Sequence, residues 1–409
     1  MSEMSGSVFP VWWFSQAEIS NYILGTGARC HAKTWWEGNY VSVLFPNARL
    51  DSPRISEFLK RLGDEKLQRR FFEHYIRMVV SGPGIHGILI DSEGLPNGID
   101  MEVTQLSNHG GDINVETRLI YICERNTGLP LYFRYISGNI VDFSTLATTV
   151  EELDQVGLCT DFAILDAGYY SDSNIDVLYE KHIAFVMRLK QNRVLYKELV
   201  AKHLKGLESS QNLVAFNKRF LYIQKIPCTL QGHHAFAYMC KDPVMGMLET
   251  RHKVPASLAD GIPPEEVFTT IQEAGVFVII SSEDMEPNEI LPLYYTRQQI
   301  EQVFDISKNY AEILPLRVHS EDTFRGHLFI SFVAAIVCHI LQKLFNDKGM
   351  NQIEALLELR NQKCKLYDHV VIPMEPRKKM NDIYKLSNIL CPVRIPIPQR
   401  DMVGKTTEN

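Results

Sequence analysis

The 409-residue chain reads as an α/β protein: a mixed sheet flanked by helices, interrupted by a β-rich insertion, with helical additions at both ends. Three observations predict this. Between residues 85 and 189, short β-favouring runs and helical stretches follow the order three strands, helix, strand, helix, strand. From Lys190 to Glu273 the texture changes to short alternating segments, which mark the insertion. Strand texture then resumes at Val276–Ile280 and passes into long helical stretches.

Composition sets the limits. With 45% hydrophobic and 22% charged residues the chain is expected to be folded throughout, with room for one large core or two to three domains. A formal charge of −7 argues against a protein that coats nucleic acid, yet it allows a local basic groove beside an acidic centre. The eight cysteines are scattered without a CxxC pair, which points to reduced, mostly buried thiols rather than a disulfide framework or structural zinc. No secretory signal opens the sequence. Leu328–Leu341 is the most apolar stretch, and its length, Ser331 and His339 suit a buried core helix better than a membrane span.

In chain order, residues 1–80 hold all four tryptophans as the pairs Trp12-Trp13 and Trp35-Trp36, which suit the joint of a small helical subdomain or base stacking. Two amphipathic helices fill Ser52 to Val80, broken near Gly63-Asp64. Ser81-Gly-Pro-Gly84 is punctuation. Strands are expected at 85–90, ending at Asp91, at 115–123 and at 131–136, followed by a helix near Phe143 to Val156. Gly138 is read as a turn requirement and Asn139 to Asp142 as helix capping, with Asn139 a candidate to orient a site. A strand at Phe162–Leu165 ends on Asp166, a helix covers Ser173–Glu180, and Ile183–Leu189 is a further strand. In the insertion, 211–240 alternates and 250–266 is polar and Pro-containing. His233-His234 is a weak metal pair, because neighbours on a strand face opposite ways. Beyond the apolar helix come an amphipathic stretch at Asn351–Arg360 and a basic, Pro-rich, partly ordered tail from Arg377.

The most informative stretch is LYYTRQQIEQVFDISKNY, Leu293 to Tyr310, free of Gly and Pro and expected to form one helix after a Pro-containing turn. Tyr294, Arg297, Glu301 and Lys308 fall within a sector of about 60° at ordinary helix pitch. Ile300, Val303 and Ile306 lie on other faces and can hold the helix to a core. On spacing alone the polar stripe is either a surface salt-bridge ladder or part of a site that handles phosphate. Asp91 and Asp166 each follow a β-favouring run, and in an open α/β sheet such ends converge where ligands bind. Three carboxylates around one point repel one another unless they hold hard cations, and Mg²⁺ or Mn²⁺ suits oxygen ligands of this kind.

In these residues the chain resembles insertion-sequence transposases of the D-D-E class, in the branch marked by a Y-(2)-R-(3)-E-(6)-K signature. Tyr294, Arg297, Glu301 and Lys308 match that signature, LDAGYYSDSNIDVL (Leu165 to Leu178) matches the second aspartate, and ILIDSEGL (Ile88 to Leu95) the first. TGLPLYFRYISGNIVDFSTL (Thr127 to Leu146) and RVHSEDTFRGHLFISF (Arg317 to Phe332) match as well, so the resemblance covers about Gly84 to Lys343.

The resemblance implies a ribonuclease-H-like catalytic core at 84–190 and 275–345, a β-rich insertion at 191–274, and a helical C-terminal region at 346–409. It also implies a shortened DNA-end-binding region at 1–80, since relatives often carry a longer one. Asp91, Asp166 and Glu301 are expected to hold two Mg²⁺ (or Mn²⁺) ions and catalyse cleavage of the element's ends and strand transfer. Tyr294, Arg297 and Lys308 are expected to contact DNA. The partners implied are terminal inverted repeats, target DNA and further copies of the chain, in a prokaryotic, nucleoid-associated cytoplasmic setting. In relatives that pass through a DNA hairpin an aromatic of the insertion takes a flipped base; here Phe216, Phe220, Tyr222, Phe236 or Tyr238 would serve. His319 and His327 are expected to be core or DNA-facing polar groups. A nuclease without strand transfer, or an inactive DNA-binding remnant, also fits the sequence.

Overall fold

The computed structural model describes residue 20 and residues 31–81, 87–109, 112–309, 313, 314, 316 and 318–397. The Trp12-Trp13 pair, most of the Ser81–Gly84 punctuation, Tyr310, Arg317 and the end of the basic tail lie outside the described residues.

In chain order the elements begin with α1 (Ala32–Glu37), α2 (Val41–Leu44), α3 (Ser52–Leu62) and α4 (Glu65–Val80). Strands β1 (Ile88–Pro96), β2 (Gln105–His109), β3 (Asp112–Glu124) and β4 (Pro130–Ser137) come next. Then α5 (Leu146–Gln155), β5 (Phe162–Leu165), α6 (Asp172–Glu180), β6 (Ala184–Leu189) and α7 (Val194–Leu207) alternate. The strands β7 (Leu213–Phe216), β8 (Arg219–Leu230) and β9 (His233–Lys241) lead to α8 (Pro243–Ala259), α9 (Pro264–Glu273), β10 (Val276–Ser281), α10 (Pro287–Tyr295) and α11 (Gln298–Asn309). The remaining elements are α12 (Glu321–Asn346), α13 (Gln352–Arg360), β11 (Cys364–Leu366), β12 (Val370–Pro373), α14 (Lys378–Leu386) and β13 (Ile395–Pro396).

The chain divides into two compact units, one of which comprises Phe71–Pro96 and Val103–Gln302. Its sheet runs β2-β3-β1-β5-β6-β10-β9-β8-β7, and β4 also pairs with β3. Strand β3 is antiparallel to both β1 and β4, whereas β1, β5 and β6 run parallel. The order β4-β3-β1-β5-β6 with that single reversed strand is ribonuclease-H-like. The apolar starts of β1 and β5 are buried, as a sheet covered on both faces requires.

The insertion does not form a sheet of its own. Strand β10 pairs antiparallel with β6 on one side and β9 on the other, so β9, β8 and β7 prolong the central sheet. The polar, Pro-containing residues 250–266 lie largely in helices α8 and α9. The Asp242 carboxylate accepts from the Val244 and Met245 amides, and Pro243 opens the first turn, which together start α8.

Three other expectations need correcting. Strand β1 starts at Ile88 and continues through Asp91 to Pro96, because β3 pairs with it along that whole length; Asp91 lies within the strand rather than at its end. The single helix over 293–310 is two helices. A capping box between Glu286 and Glu289 starts α10 early, and Pro292 sits inside it. The chain then tightens at Thr296-Arg297, where Arg297 N donates to Tyr294 O (3.2 Å) and Ile300 N to Arg297 O (3.0 Å). The basic tail is also more ordered than its composition suggests: Lys378 and Lys379 open α14, whose Met380 and Ile383 are buried, and Pro396 lies in a small β11-β12-β13 sheet.

The other unit gathers the described residues within Met1–Arg70, Asn97–Glu102 and Val303–Asn409. Here α3 crosses α12 at unusually close range. A Cβ on Gly63 would overlap the Asp322 carbonyl, and one on Gly326 would overlap the Leu59 carbonyl. Both positions are glycine because backbone occupies the space a side chain would need. By length and composition α12 is apolar enough to cross a membrane, but Phe324, Leu328 and Phe332 are buried within the unit. His327 is buried with Nε2 3.1 Å from the Ile313 carbonyl, and His319 is exposed. Among the described cysteines all are free thiols; Cys123, Cys240 and Cys338 are buried and Cys159 and Cys364 exposed, so burial is less general than expected.

Replacing Gly326 by valine should destabilise the protein by about 1–3 kcal/mol through overpacking. The urea midpoint of the variant should fall, and an unchanged midpoint would show that α3 and α12 do not meet this closely.

Candidate active site

The site is set first by strand register. Parallel pairing between β1 and β5 runs Ile88 with Ala163, Leu89 with Ile164 and Ile90 with Leu165. Asp91 and Asp166 are the next residues on each strand, so the two carboxylates emerge side by side. On the Asp166 side, Tyr169 N donates to the Asp166 carbonyl (3.1 Å), closing a tight turn through Ala167-Gly168.

The second determinant is Arg297, in the tight joint between α10 and α11. Its Nη2 lies 3.0 Å from Asp91 Oδ2 and 3.3 Å from Glu301 Oε1, and its Nη1 lies 3.1 Å from Asp166 Oδ1. One guanidinium thus joins all three carboxylates that the sequence singles out. The stripe on this helix is therefore neither a surface ladder nor solvent-facing at its centre: the Arg297 and Asp91 side chains are only 19% and 13% exposed. Exposure rises towards Glu301, whose side chain is 55% exposed, so the cluster opens at one side.

The electrostatics follow from this geometry. Burial pushes the Asp91 carboxyl up to about 7; Arg297 opposes that, Asp166 reinforces it, the Ser92 amide opposes it, and Asp142 adds to it. For Arg297, burial alone would favour loss of the proton, but Asp91, Asp166, Tyr294 and Glu301 outweigh it and hold the guanidinium's pKa above its ordinary value. Tyr294 is buried, and burial raises its phenol well above the usual range. Its ring is turned from solvent and lies edge-on to that of Tyr295, with centroids 5.9 Å apart. Lys308 is two turns beyond Glu301 on α11.

The donor set fits a hard divalent cation, being all carboxylate oxygen with two members on adjacent strands. Among the described residues, however, no group of three His, Cys, Asp or Glu side chains is close enough to hold a metal ion as they stand. The carboxylates converge on the Arg297 guanidinium rather than on a common ligand point.

Of the insertion aromatics, Phe216 stacks on Tyr295 with centroids 5.2 Å apart, which brings the β7–β8 hairpin to α10. Phe220 is 47% exposed and edge-on to Tyr222. Phe236 lies under the Lys225 ammonium (5.8 Å), and Tyr238 is buried with its hydroxyl donating to the Met285 carbonyl. Tyr238 is thereby unsuited to take a base. His233 stacks on Tyr179 at 4.0 Å.

Sequence reasoning missed one group. Arg118, on β3, is almost fully buried, and its Nη2 donates to Ser92 Oγ (2.6 Å) and Asp142 Oδ1 (3.0 Å). Asp142 was expected to cap a helix, but its side chain makes no cap and turns inward instead. Asn139 is exposed. The available signal was a cation directly before the apolar run Leu119–Cys123 of the same strand.

A mixed sheet of ribonuclease-H-like order, with two aspartates side by side on its parallel strands and a glutamate brought to them by a helix, defines a protein of the D-D-E class. A model of the family described as transposase DDE domain matches residues 108–337, more than half of the chain. The chain belongs to that family. The matched span contains Asp166, Arg297 and Glu301 and begins after Asp91. Among solved structures, the chain is similar to the one described as "Cryo-EM structure of piggyBac transposase synaptic complex with hairpin DNA (SNHP)", at 14% identity, covering 91% of this chain and 70% of that one with a TM-score of 0.44. No curated protein matches its sequence.

Asp91 binds its proton more tightly folded than unfolded, so without metal its contribution to stability is full below about pH 4 and is lost as pH rises through about 7. In EDTA, unfolding free energy should therefore fall between pH 5 and pH 8, and Asp91→Asn should flatten the decline. An equal decline in the variant would show that Asp91 is not its source.

Proposed function

We propose that this transposase-family chain cuts DNA at the ends of its element and joins the exposed 3′ ends to target DNA. The observation that carries the reading is the convergence of Asp91, Asp166 and Glu301 on one mostly buried guanidinium, in a cluster that opens to solvent on the Glu301 side. Asp91, Asp166 and Glu301 would hold the divalent ions, Mg²⁺ or Mn²⁺. Two such ions supply activation of the attacking water or 3′-hydroxyl and stabilisation of the leaving oxygen.

The chain's own residues do the rest. Asp91, which burial pushes towards the protonated form even beside Arg297, would be stabilised as a carboxylate by a bound cation. Arg297, relieved of its carboxylate partners when cations are bound, offers a planar fork to a backbone phosphate. Lys308 adds a flexible point charge further along α11. Tyr294, three residues before Arg297, keeps its phenol protonated, since burial raises it well above the usual range. Phosphate-binding cations beside an acidic centre bring a polyanion to carboxylates that would otherwise repel it. We assign a homodimer or larger multimer on paired ends, because joining two ends to a target requires both to be held together.

The test incubates the full chain with Mg²⁺ and a duplex carrying the element's terminal sequence, taken from the DNA that flanks the coding sequence. Cleavage exposing a 3′-hydroxyl should fall by at least a hundredfold in Glu301→Gln, and products joined to a second duplex should appear only with the unaltered protein. Cleavage without joining would identify a nuclease, and binding without either product would identify a DNA-binding remnant.

A further inference from the structure

We infer that Asp142 and Arg118 are positioning residues that hold Asp91 and Asp166 in register from behind. The inference rests on the site assigned above, since it concerns how those two aspartates are held. Through different oxygens, Asp142 bonds to the residue after Asp91 and packs against the turn that follows Asp166. Its Oδ1 accepts from Ser92 Oγ (2.5 Å) and Arg118 Nη2 (3.0 Å). Its Oδ2 faces Gly168, where a Cβ would lie only 2.8 Å away.

Each contact reaches one aspartate. Successive side chains on a strand point to opposite faces, so Ser92 is anchored on the face away from Asp91 while its own amide donates to Asp91 Oδ1 (2.9 Å). Gly168 belongs to the turn that Asp166 opens, and its lack of a side chain lets the Asp142 carboxylate press against that turn. A single carboxylate therefore fixes the strand that carries Asp91 and the turn that carries Asp166.

The surroundings are built to keep it there. Arg118 Nη1 lies 3.6 Å from Glu116 Oε1, and both side chains are under a tenth exposed. A Cβ on Gly94, which pairs with Arg118, would overlap the Glu116 carboxylate. The loop that delivers Asp142 passes so close to β2 and β3 that a Cβ on Gly138 would overlap the Glu116 carbonyl and lie 2.7 Å from that of Gln105. Thr145 Oγ1 donates to the Asp142 carbonyl (2.7 Å), securing the residue at its backbone as well. Gly138 lies in the turn closed by Ile140 N donating to the Ser137 carbonyl (3.0 Å), where close approach also requires glycine, and Asp142 is needed for its carboxylate.

Removing one member of a buried ion pair leaves the other uncompensated, so single variants mix loss of position with loss of stability. The double variant Asp142→Asn/Arg118→Met, made together with Glu116→Gln so that the other buried partner of Arg118 is not left uncompensated, removes all three charges and separates the two effects. We expect its melting temperature to return to within a few degrees of the parent, while Mn²⁺ affinity, read by electron paramagnetic resonance on the full chain without DNA, stays at least tenfold weaker. Gly168→Ala should weaken Mn²⁺ similarly by displacing the same carboxylate. Parental Mn²⁺ affinity in a stable combined variant would overturn the inference. Asp166→Asn is the control: if it leaves Mn²⁺ binding unchanged, the assignment of the metal site is what fails, not the positioning role.

Discussion

Like charges set the problem this structure is organised around. Asp91 and Asp166 follow paired residues on neighbouring parallel strands, and Glu301 is brought to them from a helix. Bringing three carboxylates together in a partly buried place is costly unless positive charge offsets it. Arg297 supplies that charge by reaching all three. The tightened joint at Thr296-Arg297, the buried Tyr294 beside it and the apolar face of Ile300 all follow from the need to hold this guanidinium in place.

Behind the aspartates lies a second charged layer with a different character. Arg118 bonds to Asp142 and faces Glu116 at 3.6 Å, and glycines leave the room these side chains occupy, so their positions are narrowly defined. The front layer can exchange partners because Glu301 is largely exposed. A rigid rear layer under an exchangeable front one is what a site needs if its ligands must stay in place while charge around them changes.

The insertion also acquires a physical role through the sheet. Since β10 pairs with β6 and β9 alike, β7 to β9 share one hydrogen-bonded framework with the aspartate strands. The Phe216–Tyr295 stack ties the tip of that extension to α10, the helix that precedes Arg297.

Much of this was legible in the sequence because it is local. Apolar runs before Asp91 and Asp166, the helical pitch that carries Glu301 and Lys308 and the break at Gly63-Asp64 all depend on neighbours within a turn or a strand. The family signature added which carboxylates belong together. Only the tertiary structure decided that Tyr294 is buried, that β1 runs on past Asp91, and that Asp142 serves the core of the site instead of capping a helix. Those outcomes depend on partners far along the chain: β3 for Asp91, Arg118 and Ser92 for Asp142, and both aspartates for Arg297. Local pattern specifies what each segment can form, whereas the charge each side chain meets is set by the strand and turn that folding places against it.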